Sequence, residues 1–116
     1  MSEKHEISVQ LWVPAHLTYL FDASHLKMNF VYVIKCNNGK YYTGITNNLK
    51  KRTTEHCLGK GSLFTKSHLP VKLVYFENFL SRYDAAQREK VIKDMSQKKK
   101  LALIKKFTSS DSEMRK

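Results

Sequence analysis

Cysteine is scarce in this 116-residue chain, which carries only Cys36 and Cys57. The two form neither a CxxC pair nor part of a spaced four-ligand set, so neither a zinc site nor a disulfide framework is indicated, and a reducing cytoplasm fits best. Long apolar runs are missing as well. No stretch approaches the length of a membrane span, and the N-terminus opens with Glu3 and Glu6 instead of a basic region leading into an apolar one. A soluble, unexported protein with no membrane partner is expected. Phosphate-binding glycine loops and hydrolase nucleophile elbows are absent, since Gly59-Lys60-Gly61 is too short for a P-loop. Acidic residues are few: 10 Asp plus Glu face 21 Lys plus Arg, for a net charge of +11. That excess goes beyond what solubility asks of a small domain and points to a polyanionic partner; a generally basic or ribosome-associated protein is the plainer alternative.

The length suits one small domain with a single core, without room for separate catalytic and recognition domains. Residues 1–27 hold two apolar clusters, Leu11-Trp12-Val13 and Leu17-Thr18-Tyr19-Leu20-Phe21, separated by Pro14 and lacking a sustained helical or strand period. They read as an N-terminal extension without an assignable role. Met28 directly precedes a strong strand signal and is a candidate natural start, an idea that native peptides from upstream of Met28 would sink. The domain is expected over 28–107, followed by a flexible tail over 108–116. No internal repeat is present, and Lys98-Lys99-Lys100 is the one compositionally biased block.

From Asn29 the punctuation is clear. A β-rich run to Cys36, the turn residues Asn37-Asn38-Gly39 and a second run from Lys40 to Thr46 predict a β-hairpin. Its register carries the chemistry, because a one-residue slip flips every side chain to the other face. A two-residue Asn38-Gly39 loop would put Tyr32 and Tyr42 on opposite faces. A three-residue loop with Gly39 left-handed pairs Ile34 with Tyr42 and Tyr32 with Gly44, making one site from two tyrosines. After Thr46-Asn47-Asn48, a short helix is expected over Leu49 to Leu58, ended by Gly59 and Gly61. A loop with Phe64 and Lys66 leads to Pro70, and Val71 to Phe79 reads as a third strand. Ser81 and Asp84 open a helix to about Met95, and a last helix restarts at Ser96 or Gln97 and runs through Phe107.

Within this frame a few residues are odd as plain scaffolding. Arg52 and His56 lie four apart on one helix face, with Leu49 a turn before Arg52. They read either as an amphipathic boundary where long side chains snorkel or as a phosphate clamp built on a planar guanidinium fork. Glu89 falls among Ala85, Ala86 and Ile92 on an apolar stripe and needs a partner there. Either a basic side chain pairs with it, or it holds a divalent cation; a lone carboxylate suits Mg²⁺, which keeps most of its waters and takes phosphate oxygens as further ligands. Tyr32 and Tyr42 read as core aromatics or as catalysts. A phenol with a pKa of about 10 is a poor base unless cations lower it, a shift that Arg52 or His56 nearby would supply. His5, His16, His25 and His68 show no ligand-like spacing and read as surface residues.

Taken in order, Phe30-Val31-Tyr32, Tyr42-Thr43-Gly44, Arg52, His56 and Glu89, within Arg88-Glu89-Lys90-Val91-Ile92-Lys93, resemble the motifs of the GIY-YIG endonuclease superfamily. The likeness is greatest to its small stand-alone branch, similar to the nuclease domains of Slx-type enzymes and of the excision-repair protein UvrC. It runs from about Met28 to Phe107. The resemblance implies an α+β fold, a three-stranded antiparallel β-sheet flanked by helices in the order β-β-α-β-α-α. It implies a nuclease in which Tyr32, Tyr42, Arg52, His56 and Glu89 are catalytic and Glu89 holds one Mg²⁺ or Mn²⁺. Arg52 would steady the scissile phosphate, one tyrosine, Tyr32 assisted by His56, would help activate water, and Tyr42 would orient the nucleophile or phosphate. Three positions depart from the pattern. Phe30 replaces a Gly; Ile45 stands where excision-repair members carry a Lys, leaving charge stabilisation to Lys51 or Lys66; and no Asn follows Glu89 by a few turns, Ser96 being the nearest small polar residue.

The expected activity is metal-dependent hydrolysis of DNA phosphodiesters, directed by structure more than by sequence, in repair or recombination. Contacts to phosphates would come from Lys51, Arg52, Lys60 and Lys66. Branched, flapped or nicked DNA is the expected partner, with RNA as an open alternative and an unknown targeting protein as a further partner. The competing readings are a non-catalytic nucleic-acid-binding module on the same fold, and an adaptor that docks an acidic protein.

Overall fold

The computed structural model describes residues 28–114 of the chain, with side chains described through Phe107. Its centre is strand β1, Asn29–Lys35, in which Phe30 to Ile34 are each exposed by 2% or less. A run of five apolar residues without alternation suits a strand covered on both faces. The sheet order β2-β1-β3 puts β1 in the middle, antiparallel to β2, Tyr41–Thr46, and to β3, Lys72–Phe79.

The hairpin adopts the three-residue loop. Cys36 N–H donates to Lys40 O at 2.9 Å, Gly39 N–H donates to Cys36 O at 2.9 Å, and Gly39 has φ +83°. A left-handed residue in the third loop position is the geometry that glycine supplies without steric cost. The register follows: Tyr32 opposes Gly44 and Ile34 opposes Tyr42. On the other side of β1, Val33 opposes Tyr75 while Ile34 opposes Leu73, so Val74 is an extra residue and β3 carries a bulge.

The two faces are then distinct cores. On one, Phe30, Tyr32, Ile34, Cys36, Leu73 and Phe76 are closed over by Leu49 of helix α1, Leu49–Cys57. On the other, Val31, Val33, Val74 and Tyr75 pack against Ala85 and Ile92 of helix α3, Arg82–Lys93. Helix α4, Gln97–Met114, adds Leu103 and Ile104 to the second core, and its Phe107 ring stands 5.0 Å from Tyr75 and 5.4 Å from Phe76.

Local capping chemistry starts each of the longer helices. The Asn48 side chain accepts from Lys51 N–H at 3.1 Å, Ser81 Oγ from Asp84 N–H at 3.0 Å, and Ser96 Oγ from Lys99 N–H at 3.2 Å. Each satisfies an N–H that the helix leaves open. One element was not foreseen: the segment read as a loop through Phe64 and Lys66 contains a single helical turn, α2, Leu63–Lys66, capped by Ser62. The fold is thus the expected three-stranded antiparallel sheet flanked by helices, with α2 inserted before β3. Helix α4 continues to Met114, past the Phe107 boundary expected from sequence, and the segment 1–27 lies outside the described residues. Among the described residues, no helix is long and apolar enough to cross a membrane.

Candidate active site

The hairpin register brings the two tyrosines to one face. Tyr32 on β1 and Tyr42 on β2 lie with ring centroids 6.3 Å apart, under helix α1, and the His56 ring sits 5.6 Å from the first and 5.0 Å from the second. Gly44 is what lets the Tyr32 hydroxyl lie across β2: a Cβ there would come within 2.6 Å of its oxygen.

His56 is the hub. It is fully buried, its Nε2 is 2.9 Å from the Tyr32 hydroxyl, and its Nδ1 is 2.8 Å from Thr65 Oγ1 of α2. The turn before α2 presses against the imidazole so closely that a Cβ at Gly61 would fall 2.3 Å from Nδ1. Burial, reinforced by the Arg52 charge, pushes the His56 pKa down to about 4, so the ring is neutral near pH 7.

Arg52 sits one turn before His56 and is half-exposed. Its Nη1 donates to Glu55 Oε1 at 3.1 Å and its Nη2 to Gly61 O at 3.1 Å, which ties the guanidinium to the turn that covers His56. Its guanidinium also interacts with Tyr32, the main reason its own pKa is raised. The sequence expectation for the phenol is corrected here. Burial dominates, Arg52 offsets it only in part, and the Tyr32 pKa is pushed up to about 12 instead of down. A neutral His56 supplies no positive charge to change that balance. Tyr32 is therefore a protonated phenol whose oxygen faces a neutral base on one side and a fixed cation on the other.

Glu89 stands apart from this cluster. Helix α3 packs across β1 and β2 from the opposite face, and the Glu89 carboxylate pairs with Lys93 Nζ at 3.3 Å beside a shallow cavity of about 380 Å³ that Gln87 and Lys90 also line. Its negative charge nonetheless bears on Tyr32, as the smallest of the influences on that phenol. Glu89 thus has the basic partner that the salt-bridge reading requires, and its carboxylate is half-buried. Among the described residues, no three His, Cys, Asp or Glu side chains gather as a metal cage. A lone carboxylate of this kind fits a hard divalent cation that completes its shell with water and phosphate oxygens.

The lysines expected to meet phosphate lie in the first turn of α1, in the α1 to α2 connection and at the end of α2. Lys51 is 72% exposed and loosely paired with Glu55 at 4.0 Å, while Lys60 and Lys66 are exposed. Two neighbours were missed from sequence. Phe64 of α2 stacks on Tyr42, with centroids 6.4 Å apart and planes 20° from parallel. His68, read as a surface residue, is half-buried, with its ring 4.8 Å from Phe64 and its Nδ1 2.7 Å from Phe64 O. The Ser62-x-x-Thr65 spacing was a visible cap signal for α2, but nothing local linked Thr65 to a histidine nine residues earlier.

The sequence model of the GIY-YIG catalytic domain matches residues 28–102. A UPF0213 protein of Clostridium perfringens is 48% identical over 77 residues, spanning 66% of this chain and 83% of its own. A UPF0213 protein of Staphylococcus haemolyticus is 43% identical over 76 residues, spanning 66% and 93%. Among solved structures, the solution NMR structure of a UPF0213 protein from Bacillus halodurans is 33% identical, aligns with 67% of this chain and 83% of that one, and has a TM-score of 0.46.

Proposed function

Because the chain belongs to the GIY-YIG catalytic-domain family, we propose that it is an endonuclease that hydrolyses DNA phosphodiester bonds with water as nucleophile. The observation that carries this reading is the buried Tyr32 to His56 hydrogen bond of 2.9 Å beside the Arg52 guanidinium. As the water oxygen bonds to phosphorus, its proton moves to the Tyr32 oxygen and the Tyr32 hydroxyl proton moves to His56 Nε2. The ester P–O bond breaks, and the leaving oxygen takes its proton from solvent. A pKa of about 12 is unhelpful for a phenol that must ionise first, but not for one that passes its proton on as it receives another. Arg52 donates to the phosphate oxygens as charge builds there, and Tyr42, half-exposed at the site, orients the water or the phosphate.

Glu89 would hold one Mg²⁺ or Mn²⁺, and Lys93 would give way to it. Bound there, the cation supplies Lewis-acid stabilisation of the phosphate charge. Lys51, Lys60 and Lys66 would contact phosphates without reading bases, which suits a branched, flapped or nicked DNA chosen by shape, in repair or recombination in the cytoplasm. A targeting protein would direct it, and the stretch 1–27 is an extension outside the 28–107 domain.

The test is cleavage of labelled duplex, flap and branched DNA with Mg²⁺ or Mn²⁺, beside an EDTA control. Cutting should be metal-dependent and lost in Glu89→Ala, with DNA binding retained. The Glu89–Lys93 pair favours a second reading, a binding module in which Glu89 is structural. Binding without cutting of any substrate, and a loss of stability in Glu89→Ala, would establish that module instead.

A further inference from the structure

Helix α2 is one turn long and buries one side chain, Thr65, which is fully covered. A lone turn with an exposed Leu63 and Phe64 adds little to the core, so its placement calls for another reason. The hydrogen bonds around Thr65 supply one. Tyr32 is 1% exposed, and among the described residues the one acceptor its hydroxyl meets is His56 Nε2, so that nitrogen must take its hydrogen. A neutral imidazole that accepts at Nε2 must carry its proton on Nδ1, and that N–H meets Thr65 Oγ1 at 2.8 Å. Thr65 in turn donates to Ser62 O at 3.3 Å. Ser62 Oγ, 3.0 Å from Thr65 Oγ1, can donate back to it while accepting from Thr65 N–H at 3.2 Å. Every hydrogen in the chain then has an acceptor, in one direction: Tyr32 to His56 to Thr65 to the Ser62 carbonyl. With the ring in the other tautomer, Nε2–H would point at the Tyr32 oxygen, and the Tyr32 hydroxyl hydrogen would lose its acceptor.

We propose that Thr65, seated by Ser62, is a positioning residue that holds His56 in the Nδ1–H tautomer and so keeps Nε2 free to take the proton of Tyr32. Its contribution to catalysis rests on the nuclease reading above, whereas its control of the tautomer does not. The turn is braced for this role. Arg52 fastens Gly61 O, Gly61 has no side chain to push the imidazole away, and the Ser62 cap starts the helix at the register that aims Oγ1 at Nδ1.

The experiment reads the imidazole nitrogens of His56 by long-range proton–nitrogen NMR in the full chain, for wild type, Thr65→Ser, Thr65→Val and Ser62→Ala, alongside single-turnover cleavage and DNA binding. Wild type and Thr65→Ser should show Nδ1–H alone. Thr65→Val should show a mixture or Nε2–H, with the cleavage rate down about 10- to 100-fold, DNA affinity unchanged and Thr65→Ser within a few fold of wild type. Ser62→Ala should shift the tautomer in the same direction by less, and it serves as the decisive variant if Thr65→Val does not fold. Nε2–H in the wild type, or an unchanged tautomer in both Thr65→Val and Ser62→Ala, overturns the proposal. Failure of the nuclease reading is recognised separately, as wild-type protein that binds DNA and cuts none while the nitrogen signals still answer the tautomer question.

Discussion

The two faces of the sheet each bury a tyrosine hydroxyl, and the contrast between them is instructive. Tyr32 and Tyr75 stand on adjacent strands, one register step apart and on opposite faces. Burial raises the pKa of both. Under α1, the Tyr32 hydroxyl meets a neutral imidazole, and the Arg52 charge bears on it. Under α3, the Tyr75 hydroxyl donates to the Glu77 carboxylate, which also takes Arg88 Nε and Nη2 at 3.0 Å each. The second arrangement is closed: the carboxylate is matched by a guanidinium, and the phenol is locked as a donor. In the first, the partner is an unprotonated base with room for one more proton. Equal burial of the same side chain thus gives a latch on one face and a proton path on the other, and the partner makes the difference.

The sharpest way to break that comparison is to remove each hydroxyl in turn. Tyr32→Phe should lower the cleavage rate by about 10²- to 10⁴-fold, the usual worth of a positioned proton acceptor. Tyr75→Phe should leave cutting unchanged and register only in the melting temperature; equal losses of activity from the two would erase the distinction. A second difference appears with pH. The His56 pKa in the folded chain lies near 4, below its ordinary 6.5, so the unfolded chain takes up a proton that the buried ring refuses. Stability should be full above about pH 6.5 and decline as pH falls toward 4, by about 3 kcal/mol at the low end. Urea titrations across that range measure it, and His56→Gln should flatten the slope. The smallest effect is expected on the latch. Because Glu77 and Arg88 are 28% and 30% exposed, Arg88→Ala should cost only about 1 kcal/mol, or a melting point about 4–8 °C lower, without touching catalysis.

What was legible in the sequence was whatever is written locally. Asn37-Asn38-Gly39 fixes the loop and hence the register, because the left-handed residue it needs is the glycine it has. Asn48 and Ser81 mark helix starts for the same reason, as side-chain acceptors for the first open N–H groups. Strand β1 betrayed its central place by an apolar run that no half-exposed strand would carry. The missed features depend on elements meeting in space. Four residues of α2 are too few for a helical period, so Thr65 looked like any loop threonine. The Tyr75, Glu77 and Arg88 group requires α3 to dock on β3, and the bulge at Val74 that turns Tyr75 toward it leaves no mark of its own. The direction of the Tyr32 shift went astray because a sequence displays the nearby cation but not the depth of burial that outweighs it.

Gly61 performs no chemistry, yet a single methyl group there would land 2.3 Å from the imidazole nitrogen and wedge the α2 turn away from the ring. A survey of tolerated substitutions along this chain would therefore score Gly61 as harshly as the histidine it leans on. Intolerance at such a position measures the clearance around a reactive group, and a map of essential residues here would count empty space among the catalysts.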